Sequence, residues 1–450
     1  GLRRRANSPA AVVVTGFAVA VLVGTLLLLL PVSRNGAAGA GVVDALFTAT
    51  SAVCVTGLIT VDTPVFWSGF GQAVILLLIQ VGGFGIMTIG SVLAIVASNR
   101  MGLKQRMLAQ AEIGAVDIGD LRRLIVAIAK ITVGVEGALA LVLFVRFWQT
   151  GIEDGPIASA YSGLFHSVAA FNNAGLSLYS DNMARFVGDP VVVLGITGGF
   201  IIGGLGFPIL VEGWRHVGQR HTKAQTKWSL HTKITVFTTA ALLLFGPLVV
   251  MTFEWTNPAT LGPLDAVDKV LAGWFQGVTP RTAGFNTVDV GGMNEPTLLI
   301  ITTLMFIGAG PASTGGGIKV TTFAVLGFVL WSEVRGNTDM NVFRRRLPSN
   351  LIRQALTVAL LAIGLVVGAT LVLMSVEDLS LTPSLFEITS AFGTVGLSTG
   401  ITGSIGVSGH LLLVLVMLAG RVGPVTFVTA LVLRERIPAF RYPEERPIIG

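Results

Sequence analysis

The sequence is short of cysteine, of charge and of any recognisable catalytic set. Its one cysteine, Cys54, allows no disulfide within the chain, and one thiolate with five scattered histidines builds neither a structural zinc site nor an iron–sulfur cluster. Charged residues are 12% of the 450, about half the share of a soluble domain, too few to cover a water-soluble fold of this length. There is no P-loop, and His166, His216, His221, His231 and His410 have no metal-binding spacing. These absences exclude ATP hydrolysis by the chain and argue against an enzyme or a redox role. What is abundant is apolar residue types, 52% of the chain with a mean hydropathy of +0.78, and glycine, 56 residues, well above the roughly 7% of average usage. The chain belongs in lipid, and its glycine needs its own explanation.

Apolar stretches at about 9–30, 70–97, 123–149, 188–210, 230–253, 294–333, 351–376 and 409–433 predict eight spans, a bilayer crossing needing ~20 residues. The first is too long for a signal-peptide core and reads as a retained span, although the starting Gly1 suggests missing upstream residues. Within each pair of spans lies a shorter amphipathic segment, at 42–54, 157–171, 264–277 and 383–392. Segments of that length at membrane depth are tolerated as re-entrant half-helices only when enclosed by protein or lining a water-filled cavity. Most of the 30 lysines and arginines fall on one side of this layout: Arg3, Arg4 and Arg5, the connections at 100–130, 215–233 and 335–353, and the tail. The positive-inside rule makes that side cytoplasmic, with both termini on it, and the net charge of +6 then calls for no nucleic acid. The opposite side carries Asp62, Glu153, Asp154, Asp181, Asp189, Glu254, Asp265, Asp268, Asp289, Glu295, Glu377 and Asp378, a potential that favours an approaching cation.

The chain also repeats itself four times. After the short helices come TSAVCVTGLITVD (50–62), SVAAFNNAGLSLYSDN (167–182), FQGVTPRTAGFNTVD (275–289) and ITSAFGTVGLSTG (388–400), each with a glycine before a large apolar residue. The second spans echo one another in QVGGFGIMT, IIGGLGFPIL, GAGPASTGGGIKV and LAGRVGPVTF. The expected units are 1–97, 98–214, 215–333 and 334–433, each a span, pore helix, strand and span, followed by a tail at 434–450. The predicted fold is all-α and integral to the membrane, four M1–pore helix–M2 repeats around a pseudo-fourfold pore. A glycine in an extended strand after a half-helix lets carbonyls turn toward the axis, where they replace the hydration shell of a monovalent cation. Close helix packing is the plainer account of glycine; it suits Gly134, Gly137, Gly364 and Gly368 but not four glycines at matched positions.

These strings resemble the superfamily of potassium transporters that includes KtrB, TrkH and the plant HKT proteins, and the resemblance covers essentially the whole chain. It is nearer to KtrB-type members, because TrkH-type subunits usually carry two further N-terminal spans and here only the RRR leader precedes the first repeat. The resemblance implies potassium uptake, often sodium-dependent, with K+ and also Na+ as candidate ions at Gly57, Gly175, Gly284 and Gly396, and no organic cofactor. The strands Val55–Thr56–Gly57, Asn173–Ala174–Gly175, Thr282–Ala283–Gly284 and Thr394–Val395–Gly396 become the candidate selectivity filter. Glycine at the first position, where serine accompanies sodium preference in the plant branch, favours potassium. The resemblance also implies a homodimer and a cytoplasmic RCK-type, KtrA-like regulatory ring that binds ATP, ADP or NAD. A sodium-selective or proton-coupled member of the same fold remains open, as does an alternating-access transporter, although the latter's repeats are commonly inverted pairs.

Other residues carry specific expectations. Gly308, Ala309, Gly310, Pro311, Ala312, Ser313, Thr314, Gly315, Gly316 and Gly317, closed by Lys319, cannot continue a helix, and predict a polar loop below the Gly284 strand that acts as a gate. Lys319 is expected to be held by loop carbonyls or by a filter-side acid. Arg421 inside the last span costs at least ~2.5 kcal/mol to insert; it either sets a positive charge beneath the filter or anchors filter carbonyls. Arg281 is expected to brace the third strand, and Glu136 to be a satisfied interior carboxylate unless it serves a proton or sodium. Asn172 and Asn173 either lend amide oxygens to the second strand or cap its half-helix, and Cys54 packs as a small residue.

Overall fold

The computed structural model describes residues 9–36, 41–99, 121–218, 228–336 and 340–432. The leader, most of the first basic connection, residues 219–227 and the tail, all assigned above to the cytoplasmic face, lie outside them.

Among the described residues the regular structure is helical, apart from a two-residue hairpin pairing Asn341–Val342 with Arg345–Arg346. Repeat 1 comprises α1 (Pro9–Leu28), pore helix α2 (Val42–Cys54) and α3 (Gly69–Asn99); repeat 2 comprises α4 (Leu121–Thr150), pore helix α5 (Pro156–Phe171), α6 (Pro190–Leu205) and α7 (Phe207–Gly218). Repeat 3 comprises α8 (Leu230–Glu254), pore helix α9 (Ala266–Val278), α10 (Glu295–Phe306) and α11 (Val320–Val334); repeat 4 comprises α12 (Ser349–Glu377), pore helix α13 (Leu381–Gly393) and α14 (Val407–Val432). Local chemistry fixes several starts. Pro156 and Pro190 occupy the first helical turn, where their missing N–H is no loss, and Asp189 accepts from the amides of Val191 and Val192 at 3.0 and 3.2 Å.

Among the described residues, three helices are individually long and apolar enough to cross a bilayer: Ile125–Thr150, Leu230–Glu254 and Ser349–Glu377. Two predicted spans are broken. The break in repeat 3 was expected from the glycine cluster. The one in repeat 2 was not: residues 188–210, read as continuous, fold as α6 and α7 with a 99° bend. The turn is made at Gly206, whose φ of 96° and ψ of 143° no side-chain-bearing residue adopts cheaply.

The four units close into a ring. The second span of each repeat packs on the pore helix of the next: α3 on α5, α6 on α9, α10 on α13 and α14 on α2. The glycines of the second spans explain how closely these layers approach. A Cβ on Gly82, Gly203 or Gly420 would lie 2.0, 1.8 or 1.9 Å from the carbonyl oxygen of Val53, Phe171 or Phe392, near the end of the pore helix of the same repeat. Gly134, Gly137, Gly364 and Gly368, assigned from sequence to helix packing, instead have no atom of the described chain within 4 Å of such a Cβ. Gly82, Gly203 and Gly420 all lie in the strings echoed between the second spans.

Candidate functional site

The four pore helices end in strained backbone. Val55 and Thr394 cap α2 and α13 in the left-handed region, at φ 55° and 49°, while α5 and α9 continue briefly to Asn173 (φ 60°) and Thr282 (φ 69°). Two residues on in each repeat, Gly57, Gly175, Gly284 and Gly396 have φ of 99°, 65°, 77° and 98°. A β-branched residue in this region is an outlier costing on the order of 1–3 kcal/mol, and here valine and two threonines take it at matched positions. Reversing the backbone's hand at every second residue lets successive carbonyls face one side.

The glycines meet. A Cβ on Gly57 would lie 2.5 Å from Ala174 O, on Gly175 2.8 Å from Gly284 Cα, on Gly284 2.1 Å from Val395 O and on Gly396 2.2 Å from Thr56 O. Each strand thus touches the next in the order 1, 2, 3, 4 and back to 1, with no room for a methyl group at any glycine. Behind the ring, Val55, Ala174 and Ala283 enter one apolar cluster and Val395 another. The Ser51 and Ser390 hydroxyls accept from the amides of Gly57 and Gly396 at 3.0 and 3.1 Å. Cys54 is wholly buried among apolar side chains, as expected of a small packing residue.

Directly against the inner end of the ring lies the segment between α10 and α11. Its base is a clasp in which Gly308 N donates to Ile318 O at 2.7 Å and Val320 N to Ala309 O at 3.1 Å. Its tip is inserted among the residues that begin the strands: Gly316 N donates to Thr394 Oγ1 at 2.9 Å, and Thr314 Oγ1 lies 2.8 Å from the side-chain amide of Asn173. With the amide placed so that both its atoms are satisfied, Asn173 donates to Thr314 and to Phe171 O and accepts from Thr282 Oγ1. A Cβ on Gly315 or Gly316 would meet Thr282 Oγ1 or Thr394 Oγ1 at 2.2 or 2.4 Å. Ser313 and Thr314 are buried, so the segment fills the space under the ring.

Three cations hold this segment. Lys319 Nζ donates to Gly315 O at 2.5 Å, which selects loop carbonyls over a filter-side acid. Arg421, 2% exposed, donates to Thr314 O and, at 3.2 Å, to Gly82 O; its partner is the loop and a neighbouring span, and no ring carbonyl. Arg281, expected to brace the third strand, donates instead to Gly308 O at the hinge of the loop, at 3.3 Å. The bend in repeat 2 grips the same segment, Gly310 N donating to Gly204 O at 2.8 Å and Phe207 N to Ala312 O at 3.2 Å.

Glu136 is a buried, satisfied carboxylate. It accepts from Asn172 Nδ2 at 2.9 Å and from Gln80 Nε2 at 3.3 Å, and so fixes the residue that caps α5. Sequence reasoning missed Glu387, wholly buried on α13, and the roles of His166 and Gln276 on α5 and α9; only a register of the four pore helices against their glycines would have drawn them together. It also placed Glu254 on an open acidic face, whereas that carboxylate is wholly buried and accepts from Thr260, Asn257 and the amide of Asn294.

A family model described as TrkH, cation transport protein, matches residues 4–437. The chain belongs to the TrkH family. Among curated members, the Ktr system potassium uptake protein B of Bacillus subtilis is 39% identical over 448 residues, covering 98% of this chain and 97% of that protein. The potassium/sodium uptake protein NtpJ of Enterococcus hirae is 33% identical over 458 residues, covering 99% and 98%. The crystal structure of the potassium transporter TrkH from Vibrio parahaemolyticus superposes with a TM-score of 0.71 at 19% identity, covering 95% of this chain and 85% of that one. The fold of the described residues is therefore that of TrkH, as the all-helical, re-entrant layout expected from the sequence requires.

Proposed function

We propose that this chain is the membrane subunit of a potassium uptake system. The ring of strands at Gly57, Gly175, Gly284 and Gly396 is its selectivity filter, with Val55, Thr56, Asn173, Ala174, Thr282, Ala283, Thr394 and Val395 supplying further oxygens. The observation that carries this reading is the closed contact of four left-handed glycines, one from each repeat. Carbonyls on such a ring replace water around a dehydrated monovalent cation. The four pore helices also end at the ring, adding the partial negative charge of their C-termini. A membrane potential of 100 mV is worth about 2.3 kcal/mol per elementary charge, enough to drive K+ inward with no nucleotide spent by this chain, which acts as a transporter and has no catalytic role.

The segment from Gly308 to Lys319 is the gate, closed in this conformation, and Arg421 and Arg281 are its tethers. The potassium/sodium uptake activity in the name of NtpJ supports passage of Na+ as well. The Ktr "system" names of relatives support a partnership with a regulatory subunit, which we assign to an RCK-type nucleotide-binding ring on a homodimer of this chain. The basic connections support a cytoplasmic position for that ring and for both termini.

Flux of Rb+ and of Na+ into liposomes holding the purified protein, with and without an imposed potential, tests the reading. Rb+ uptake that rises with an inside-negative potential and exceeds Na+ uptake is expected. Saturating exchange that requires a counter-ion and ignores the potential would replace the pore with alternating access.

A further inference from the structure

Each pore helix carries a polar side chain that reaches the segment leaving the ring on its own repeat, and the four are chemically different. In repeat 1, Asp44 accepts from Thr60 Oγ1 at 2.9 Å. In repeat 2, His166 Nδ1 lies 2.8 Å from Ser162 O, which requires the proton on that nitrogen. Its Nε2 is then an acceptor, and it meets Ser177 Oγ at 3.0 Å and Leu178 N at 3.3 Å. In repeat 3, Gln276 Oε1 accepts from Thr287 N at 3.4 Å. In repeat 4, Glu387 accepts from Ser398 Oγ at 2.9 Å and from Thr402 Oγ1, and the amide of Thr399 also donates to it. Ser177 and Ser398 both stand two residues beyond their ring glycine.

Glu387 is the demanding member of the set. It is wholly buried, and no basic side chain pairs with it among the described residues. Removing a carboxylate from water without a counter-charge is costly unless donors surround it. The amide of Gln276 makes the matching contact in repeat 3 without that cost. What the carboxyl group adds is two oxygens on which three donors converge, gathering residues 398, 399 and 402 behind one strand. Repeats 2 and 4 face each other across the ring, so the two wholly buried titratable braces, His166 and Glu387, stand opposite one another, and Asp44 and Gln276 fill the other diagonal.

We propose that Glu387 is a specificity-determining positioning residue: it fixes the turn that follows Gly396, and through it the spacing of the ring that discriminates K+ from Na+. This rests on the filter reading above. The readout is the ratio of Rb+ to Na+ permeation in liposomes, which a residue that merely aids folding does not move. Glu387→Gln keeps the shape and turns one of the two acceptor oxygens into a donor; the ratio should fall about tenfold, the effect of losing one hydrogen bond to the turn after Gly396. Ser398→Ala removes a partner and leaves the carboxylate; it should shift the ratio the same way by about threefold, and it decides the matter if Glu387→Gln yields no folded protein. Glu254→Gln, at a wholly buried carboxylate whose partners Asn257, Thr260, Asn294 and Thr297 lie outside the ring strands, is the matched control and should leave the ratio unchanged. Folded Glu387→Gln and Ser398→Ala proteins with the unmodified ratio would overturn the proposal, as would an equal shift in Glu254→Gln. If Gly284→Ala also left the ratio intact, the filter reading itself would fail; if Gly284→Ala alone changed it, that reading would stand and only the brace would fall.

Discussion

Two stretches of irregular backbone meet at the centre of this protein, and both are rich in glycine, but they are built on opposite plans. The ring is made four times over, once per repeat, with a left-handed residue, a spacer and a left-handed glycine in each copy. The segment from Gly308 to Lys319 occurs once and has no counterpart in the other second spans, of which one bends and two run on as helices. Repetition suits a task in which equivalent oxygens surround one ion. A single copy suits a task in which one element must move while the others stay. Their anchoring differs accordingly. Neither leaves space for a methyl group at its glycines, but the ring is closed by the backbone of four strands on one another, while the segment is also held by side-chain hydrogen bonds from Arg421, Arg281 and Lys319 and by the bend at Gly206.

That contrast can be broken most severely at the ring. Gly284→Ala places a methyl group 2.1 Å from Val395 O; Rb+ uptake should drop about a hundredfold, the scale of a misplacement of about 1 Å at a preorganised site. A liposome assay showing uptake within twofold of the unmodified protein would remove the ring from the permeation path.

At the segment the sign reverses. Arg421→Ala deletes charge-assisted bonds worth ~1.5–3 kcal/mol to the closed arrangement, and basal Rb+ flux should rise about tenfold. Arg421→Lys separates tether from charge. A lysine keeps the charge but cannot span both Thr314 O and Gly82 O, so flux should rise partway; flux equal to that of the unmodified protein would favour a purely electrostatic role. Smaller again is Gly206→Ala, which strains a bend at φ 96° by ~1–3 kcal/mol. By loosening the contact of Gly204 with Gly310 it should raise basal flux severalfold, and unchanged flux in folded protein would uncouple α7 from the segment.

Much of the site could be read before folding. The pore helix expected at 42–54 is Val42–Cys54, and the break expected in the third repeat runs from Phe306 to Val320. Helix length and breakage are local properties, set by apolar runs, by proline and by consecutive glycines. The bend at Gly206 escaped because IIGGLGFP is compatible with a kinked or a straight helix; the amide of Phe207 finds its acceptor, Ala312 O, only in another repeat. Arg281, Glu254 and Glu387 escaped for the same reason, since a charged residue's partner is decided by which loops arrive beside it.

By itself, then, the sequence determined a lipid-dwelling chain of four repeats with one glycine in each post-helix strand, because hydropathy, repetition and backbone freedom are written residue by residue. Tertiary structure alone decided that those glycines touch in a closed ring, that three cations converge on the segment beneath it, and that four unlike side chains stand behind four like strands. Contacts between residues more than a hundred positions apart, such as Arg421 with Thr314, exist only once the repeats have packed, since short range and direction are what make a hydrogen bond.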